Sequence, residues 1–197
     1  MEKLEIRDKD LKNNETLILK PCWVDSPEVM VKVVLEHDES NLIATFEVFE
    51  KQLRRMSTHN NDEVYEDSCV EIFLKREDEE FYRNFELSAT TFMLVGRGSS
   101  RYGRIRYDIS YIEKIHRSIE ILENNSNRSH YIIKESINLR DWHILKAGES
   151  IKELKIVGNI YKCGPTFEKL HFQSLFEMDP NLINFHNAKC FRKFEFI

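Results

Sequence analysis

The residues best suited to chemistry lie close together. In Asp67-Ser-Cys-Val-Glu-Ile-Phe-Leu the alternation of a strand puts Cys69, Glu71 and Phe73 on one face and Val70, Ile72 and Leu74 on the other. Glu71 is therefore a carboxylate inside an otherwise apolar strip. It is either an outward-facing charge on a half-exposed strand or the floor of a groove, accepting hydrogen bonds from hydroxyl groups. The cost of burying an unpaired carboxylate favours the outward placement. In Phe81-Tyr-Arg-Asn-Phe-Glu the residues Tyr82, Asn84 and Glu86 share a face, which would line the same groove if the two strands pair.

Glu71 and Glu86 would be a minimal pair for glycoside hydrolysis, which needs two carboxylates about 5 Å apart or wider. No further pattern supports catalysis, since neither Gly-x-Ser-x-Gly nor His-Glu-x-x-His occurs. Cys163, His171, His186 and Cys190 are separated by seven, fourteen and three residues, a spacing that matches no close ligand pair of a structural zinc site. The four cysteines are far apart in sequence and are expected as buried thiols. Acidic runs at Asp62-Glu63, Glu66-Asp67 and Glu77 to Glu80 offer oxygens to calcium, the one cofactor left open, although a solvated face is the commoner outcome.

The elements that must position these groups are strands. Met30 to Glu36 and Leu42 to Glu50 are β-branched and aromatic runs around a polar turn, a hairpin signature. Ser68 to Lys75, Phe81 to Ser88, Thr91 to Gly96, Ser118 to Leu122, Tyr131 to Ile137, Leu154 to Tyr161 and Cys190 to Phe196 follow. Segments 51–63, 97–114, 123–129 and 162–189 read as loops, with short helical turns at 108–114 and 138–145. Eight or more short strands without helix alternation predict an all-β antiparallel β-sandwich of two curved sheets with long loops, as one domain over residues 1–197.

The chain is 41% hydrophobic and 32% charged with a net charge of −5, which excludes a generally basic nucleic-acid binder. Only six glycines are present, and Gly96-Arg97-Gly98 continues as Ser-Ser-Arg, so nucleotide-binding loops are excluded as well. No stretch approaches the ~20 apolar residues of a membrane span. The charged opening Met-Glu-Lys-Leu-Glu-Ile-Arg leads to the expectation of a cytoplasmic protein.

Val64-Tyr-Glu-Asp-Ser-Cys-Val-Glu-Ile-Phe-Leu and Phe81-Tyr-Arg-Asn-Phe-Glu resemble the family 9 carbohydrate-binding modules, and more closely the family-9-like domain proteins of gut Bacteroidetes. Gly158-Asn-Ile-Tyr-Lys-Cys-Gly, His171-Phe-Gln-Ser-Leu, Asn184-Phe-His and the aromatic strand Phe191 to Phe196 extend the resemblance over residues 22 to 197. It implies a non-catalytic β-sandwich that holds a mono- or oligosaccharide end between two aromatic rings while polar side chains read its hydroxyls. One ring falls at Tyr65, where the family usually has tryptophan, and the polar reader at Glu71. Asn84 shares the groove face. The hydroxyl-binding arginine implied by the family is Arg97, Arg101 or Arg104.

The tryptophan usual a few residues after the histidine–phenylalanine pair is replaced by Leu175 and Phe176. Phe172, Phe176, Phe167 and Trp142 are therefore the candidates for the second ring. Cys163, His171, His186 and Cys190 receive structural roles from the same resemblance, and Asp67 is expected to brace the turn into its strand. The expected partner is a saccharide, with no nucleic acid and no membrane, and a homo-oligomer is left open. The competing reading is a structural or protein-interaction sandwich that has lost sugar affinity, favoured by the missing tryptophans.

Overall fold

The computed structural model describes residues 3–11, 14–165 and 170–197. Its strands are β1 Lys3–Asp8, β2 Leu17–Ile18, β3 Lys20–Pro21, β4 Met30–His37, β5 Asn41–Glu50, β6 Cys69–Arg76, β7 Tyr82–Ser88, β8 Met93–Gly98, β9 Ile105–Arg106, β10 His116–Asn124, β11 Ser129–Asn138, β12 Ile156–Pro165, β13 Leu170–Ser174 and β14 Arg192–Phe196. One α-helical turn, Ile109–Ile112, starts at Asp108, whose side chain accepts from the Ser110 N–H. The stretch 138–145 forms hydrogen-bonded turns instead of a helix.

The expected hairpin forms because both of its strands alternate. Val31, Val33 and Leu35 of β4 and Leu42, Ala44, Phe46 and Val48 of β5 all point into the core. Asp38 Oδ1 closes the turn by accepting from the backbone N–H groups of Ser40 (3.1 Å) and Asn41 (2.9 Å). One layer runs β10-β11-β5-β4-β1, and the other β1-β14-β12-β6-β7-β8-β9.

The expectation of purely antiparallel pairing is corrected at β1. Lys3 to Ile6 pair parallel with Lys193 to Phe196 of β14, and Arg7 and Asp8 then pair parallel with Glu36 and His37 of β4. The sheets are therefore mixed. Lys-Leu-Glu-Ile-Arg-Asp buries only Leu4 and Ile6, enough for a strand that closes two sheet edges that would otherwise be left unpaired. The short strand β13 arises inside the expected loop 162–189, where it pairs with β12 and with β3.

The interior between the layers is apolar around Val70, Ile72, Phe85, Val95, Ile133 and Trp142. Trp142, a candidate sugar plate, is a core residue only 1% exposed, packed edge-on to Phe85 (5.1 Å between centroids) and Tyr107 (4.9 Å). Phe176, another candidate, is buried in the same core, and Phe167 lies outside the described residues.

Buried polar side chains break this interior, Lys162 and Glu135 among them. Lys162 Nζ, fully buried, donates to Glu50 Oε2 (2.9 Å) and to the Cys163 carbonyl (2.8 Å) and lies 2.9 Å from His171 Nε2, while Tyr131 OH donates to Glu50 Oε1 (2.8 Å). Burial would raise the Glu50 carboxyl, but the Lys162 ammonium and His171 hold it at about 2. Glu135 is different. It sits opposite Arg117 in the β10–β11 ladder, neither carboxylate oxygen has a hydrogen-bond partner, and burial pushes its carboxyl up to about 8 against the pull of Arg117.

Candidate functional site

Strands β6 and β7 are buried along nearly their whole length, because both of their faces are covered. One face meets the opposing sheet. The other, carrying Cys69, Glu71, Phe73, Tyr82, Asn84 and Glu86, lies in part beneath the 176–191 segment, where Met178, Phe185, Cys190 and Phe191 pack on Phe73 and Tyr161. Where that cover is incomplete, a cavity of about 840 Å³ opens. That size falls within the roughly 300–1,000 Å³ usual for small-ligand sites. The outward-charge reading of Glu71 is thereby corrected, for the residue is 3% exposed at the cavity floor.

Pairing register builds the floor. Glu71 stands opposite Glu86 on one side and Tyr161 on the other, Glu86 opposite Leu94, and Asn84 between Phe73 and Gly96. Asn84 Nδ2 donates to Glu86 Oε1 (2.6 Å), and Arg104 donates to Asn84 Oδ1 and to the Ser100 carbonyl (2.9 Å) while lying 4.5 Å from the Tyr82 ring centroid. Glycine at position 96 makes this possible, since a Cβ there would stand 3.2 Å from Asn84 Oδ1. Burial pushes Glu86 up to about 7 despite Asn84 and Arg104, and raises Glu71 well above the usual carboxylate range. Cys163 Sγ donates to Glu71 Oε1 (3.0 Å).

Aromatic rings form the walls. Tyr65, in the 3-10 turn Val64–Glu66, is 42% exposed at the rim. Trp23 also lines the cavity. The β3–β13 pairing brings the Cys22 N–H to the Phe172 carbonyl (2.9 Å), and a positive φ of 63° at Trp23 then turns its ring onto Phe172 (5.7 Å) and Phe185 (5.4 Å). A bulky residue in this backbone region is strained, and such strain concentrates at functional sites. Trp23 Nε1 anchors the ring by donating to the Asp179 carbonyl (2.8 Å), and Phe185 stacks on Tyr161 at 4.2 Å. His186 Nδ1 meets Tyr82 OH at 2.9 Å, and burial together with Arg104 lowers this histidine to about 3, so it is neutral.

Of the residues singled out in the sequence, Tyr65, Glu71, Asn84, Arg101 and Phe172 line this one cavity. Arg97 does not. It alternates to the other face of β8, the one that carries Val95, where it is exposed and lies over Phe81 (5.7 Å) and Tyr107 (5.9 Å). Arg104 is the arginine fixed on the floor, and Arg101 stands exposed at the rim. Trp142 is in the sandwich core, and Trp23, Glu86 and Arg104 also line the cavity. A lone tryptophan in the short segment between β3 and β4 was the available signal for Trp23.

Asp67, expected to brace the turn into its strand, instead ties the preceding loop to β7, accepting from the N–H groups of Met56 (2.7 Å) and Ser57 (2.9 Å) and from the Ser88 hydroxyl (2.8 Å). The set Cys163, His171, His186 and Cys190 is dispersed, because His171 joins Lys162 and His186 joins Tyr82. Asp78 and Glu79 of the acidic runs pair with Arg76 and Arg83. Among the described residues, the group with metal-ligand proximity is Cys69, Glu71 and Cys163, whose ligand atoms lie within 4.8 Å of one another.

A candidate carbohydrate-binding protein from Bacteroides uniformis is similar over 100% of this chain and 99% of its own, with a TM-score of 0.88 at 20% identity. A family 9 carbohydrate-binding module from Caldicellulosiruptor kristjanssonii, solved with cellotriose, is similar over 98% and 93% of the two chains, with a TM-score of 0.66 at 13% identity. The same module solved with glucose gives 99%, 95%, 0.66 and 13%. At these identities the likeness establishes the fold. A sequence search of curated proteins finds no match. The family model for Carbohydrate-binding family 9 matches residues 11–196. That family is one of non-catalytic binding modules, in keeping with the expectation that the chain is not an enzyme. With nearly its whole length matched, the chain belongs to carbohydrate-binding family 9.

Proposed function

We propose that the cavity binds the end of a mono- or oligosaccharide without cleaving it. The observation that carries this reading is the combination of accessible rings, Tyr65 and Trp23, around a floor of Asn84, Glu86, Glu71 and Arg104. The C–H faces of a pyranose pack on aromatic plates, and charged or amide groups make directional hydrogen bonds to its hydroxyls. Because Arg104, Asn84 and Glu86 are already bonded in series, the floor meets the ligand with little reordering. The neighbours solved with glucose and cellotriose support a glucose-type ligand.

A thermal-shift panel of mono- and oligosaccharides tests this, since a ligand that binds only the native state raises its melting temperature by mass action. The expected result is a saturable rise with one sugar class, shifted to higher sugar concentration by Tyr65→Ala and by Trp23→Ala. No rise with any sugar at millimolar concentration would overturn the proposal.

A further inference from the structure

We propose that Cys69, Cys163 and Glu71, completed by Glu86, form a binding site for a borderline-soft divalent cation of the zinc class at the cavity floor. The geometry comes from the ladder. Cys69 and Glu71 are two residues apart on one face of β6, Cys163 stands directly opposite Cys69 on β12, and Glu86 stands opposite Glu71 on β7. One sulfur from each of the two cysteines and a carboxylate oxygen lie within 4.8 Å of one another. Tetrahedral zinc fits such a set, with Zn–S near ~2.3 Å and Zn–O near ~2.0–2.2 Å.

A second, independent observation points to a missing cation. Glu86 is 4% exposed, and its Oε2 has no hydrogen-bond partner although Oε1 is bonded to Asn84. Glu86, opposite Glu71 in the ladder, thus adds a fourth acidic side chain beside the three. The nearby cations hydrogen-bond elsewhere, Lys162 to Glu50 on the other face of β12, Arg104 to Asn84 and Arg106 to the Asn61 carbonyl, although Arg104 and Arg106 still attract Glu86 through space. Thiolate ligands select zinc-class ions over calcium or magnesium, which take oxygen ligands. The site goes beyond the sugar reading and does not rest on it.

The test is cobalt(II) titration of the full chain, reduced and without sugar, followed by absorption. One equivalent should produce a thiolate-to-cobalt charge-transfer band and intense tetrahedral ligand-field bands, both displaced by zinc. Cys69→Ser and Cys163→Ser should each weaken the charge-transfer band, and the double variant should abolish it. Glu86→Gln should weaken cobalt binding by at least the roughly 10-fold that even an outer-shell change brings. Thermal melts check that each variant folds. If the serine variants do not fold, X-ray absorption at the zinc edge of the wild-type complex replaces them, with two sulfur scatterers near ~2.3 Å expected. Cobalt binding without a charge-transfer band, a band that survives the double variant, or an edge spectrum with only nitrogen and oxygen ligands would overturn the proposal. Because no sugar is present, these outcomes are independent of whether the cavity takes a saccharide.

Discussion

Glu135→Gln should change how stability depends on pH, by an amount the structure sets. The Glu135 carboxyl is buried in the sandwich interior with both oxygens unpartnered, and burial, offset in part by Arg117, raises it from 4.5 to about 8. Below pH 4.5 both the folded and unfolded chains keep this proton, and Glu135 adds no slope. Between 4.5 and about 8 the unfolded chain releases it while the folded chain holds it, so stability falls as pH rises. Each pH unit in that window costs about 1.4 kcal/mol, which comes to about 3 kcal/mol at pH 7. Glutamine does not titrate. Whatever its amide costs or gains in packing is the same at every pH, so the difference between the two stability curves isolates the carboxyl. Urea denaturation of both proteins from pH 4.5 to 8 should show the variant gaining steadily on the wild type. Parallel curves across that range would refute the reasoning. Sugar binding should be unchanged, since Glu135 does not line the cavity.

Lys162→Met strands the Glu50 carboxylate in a dry interior and should cost about 3–5 kcal/mol in urea denaturation at pH 7, the usual result of removing one partner of a buried ion pair. Trp23→Ala removes the ring packed against Phe172 and Phe185, and should weaken sugar binding about tenfold or more while the fluorescence of the buried Trp142 persists. Arg104→Lys keeps the charge but loses the planar contact with the Tyr82 ring and with Asn84. Calorimetry should therefore show roughly a tenfold loss of sugar affinity, the order of one charge-assisted hydrogen bond.

The strand face carrying Cys69, Glu71 and Phe73 was legible in the sequence, because period-two alternation is local. Its burial was not. Whether Glu71 faces water depends on the 176–191 segment folding back over it, and nothing in the spacing of Met178, Phe185 and Phe191 announces that cover. Arg97 and Arg104 show the same limit. Both lie in one basic stretch, and only the register of β8 decides that Arg97 turns away from the cavity while Arg104 reaches into it. Trp142 has the composition of a plate, yet the turn after β11 drives it into the core. Trp23 becomes a wall residue through the β3–β13 pairing, a contact across about 150 residues that no local pattern encodes. The parallel ladders of β1 were hidden for the same reason, since alternation predicts a strand but not its partner.

The central claim is that Tyr65 and Trp23 flank a polar floor that holds a saccharide. The most direct test is calorimetric titration of glucose and cellotriose into the wild type, Tyr65→Ala and Trp23→Ala, with and without a chelator. The account predicts one saturable site in the wild type, weakened about tenfold or more by each ring deletion. No heat of binding at millimolar sugar, or affinity that both deletions leave intact, would contradict it.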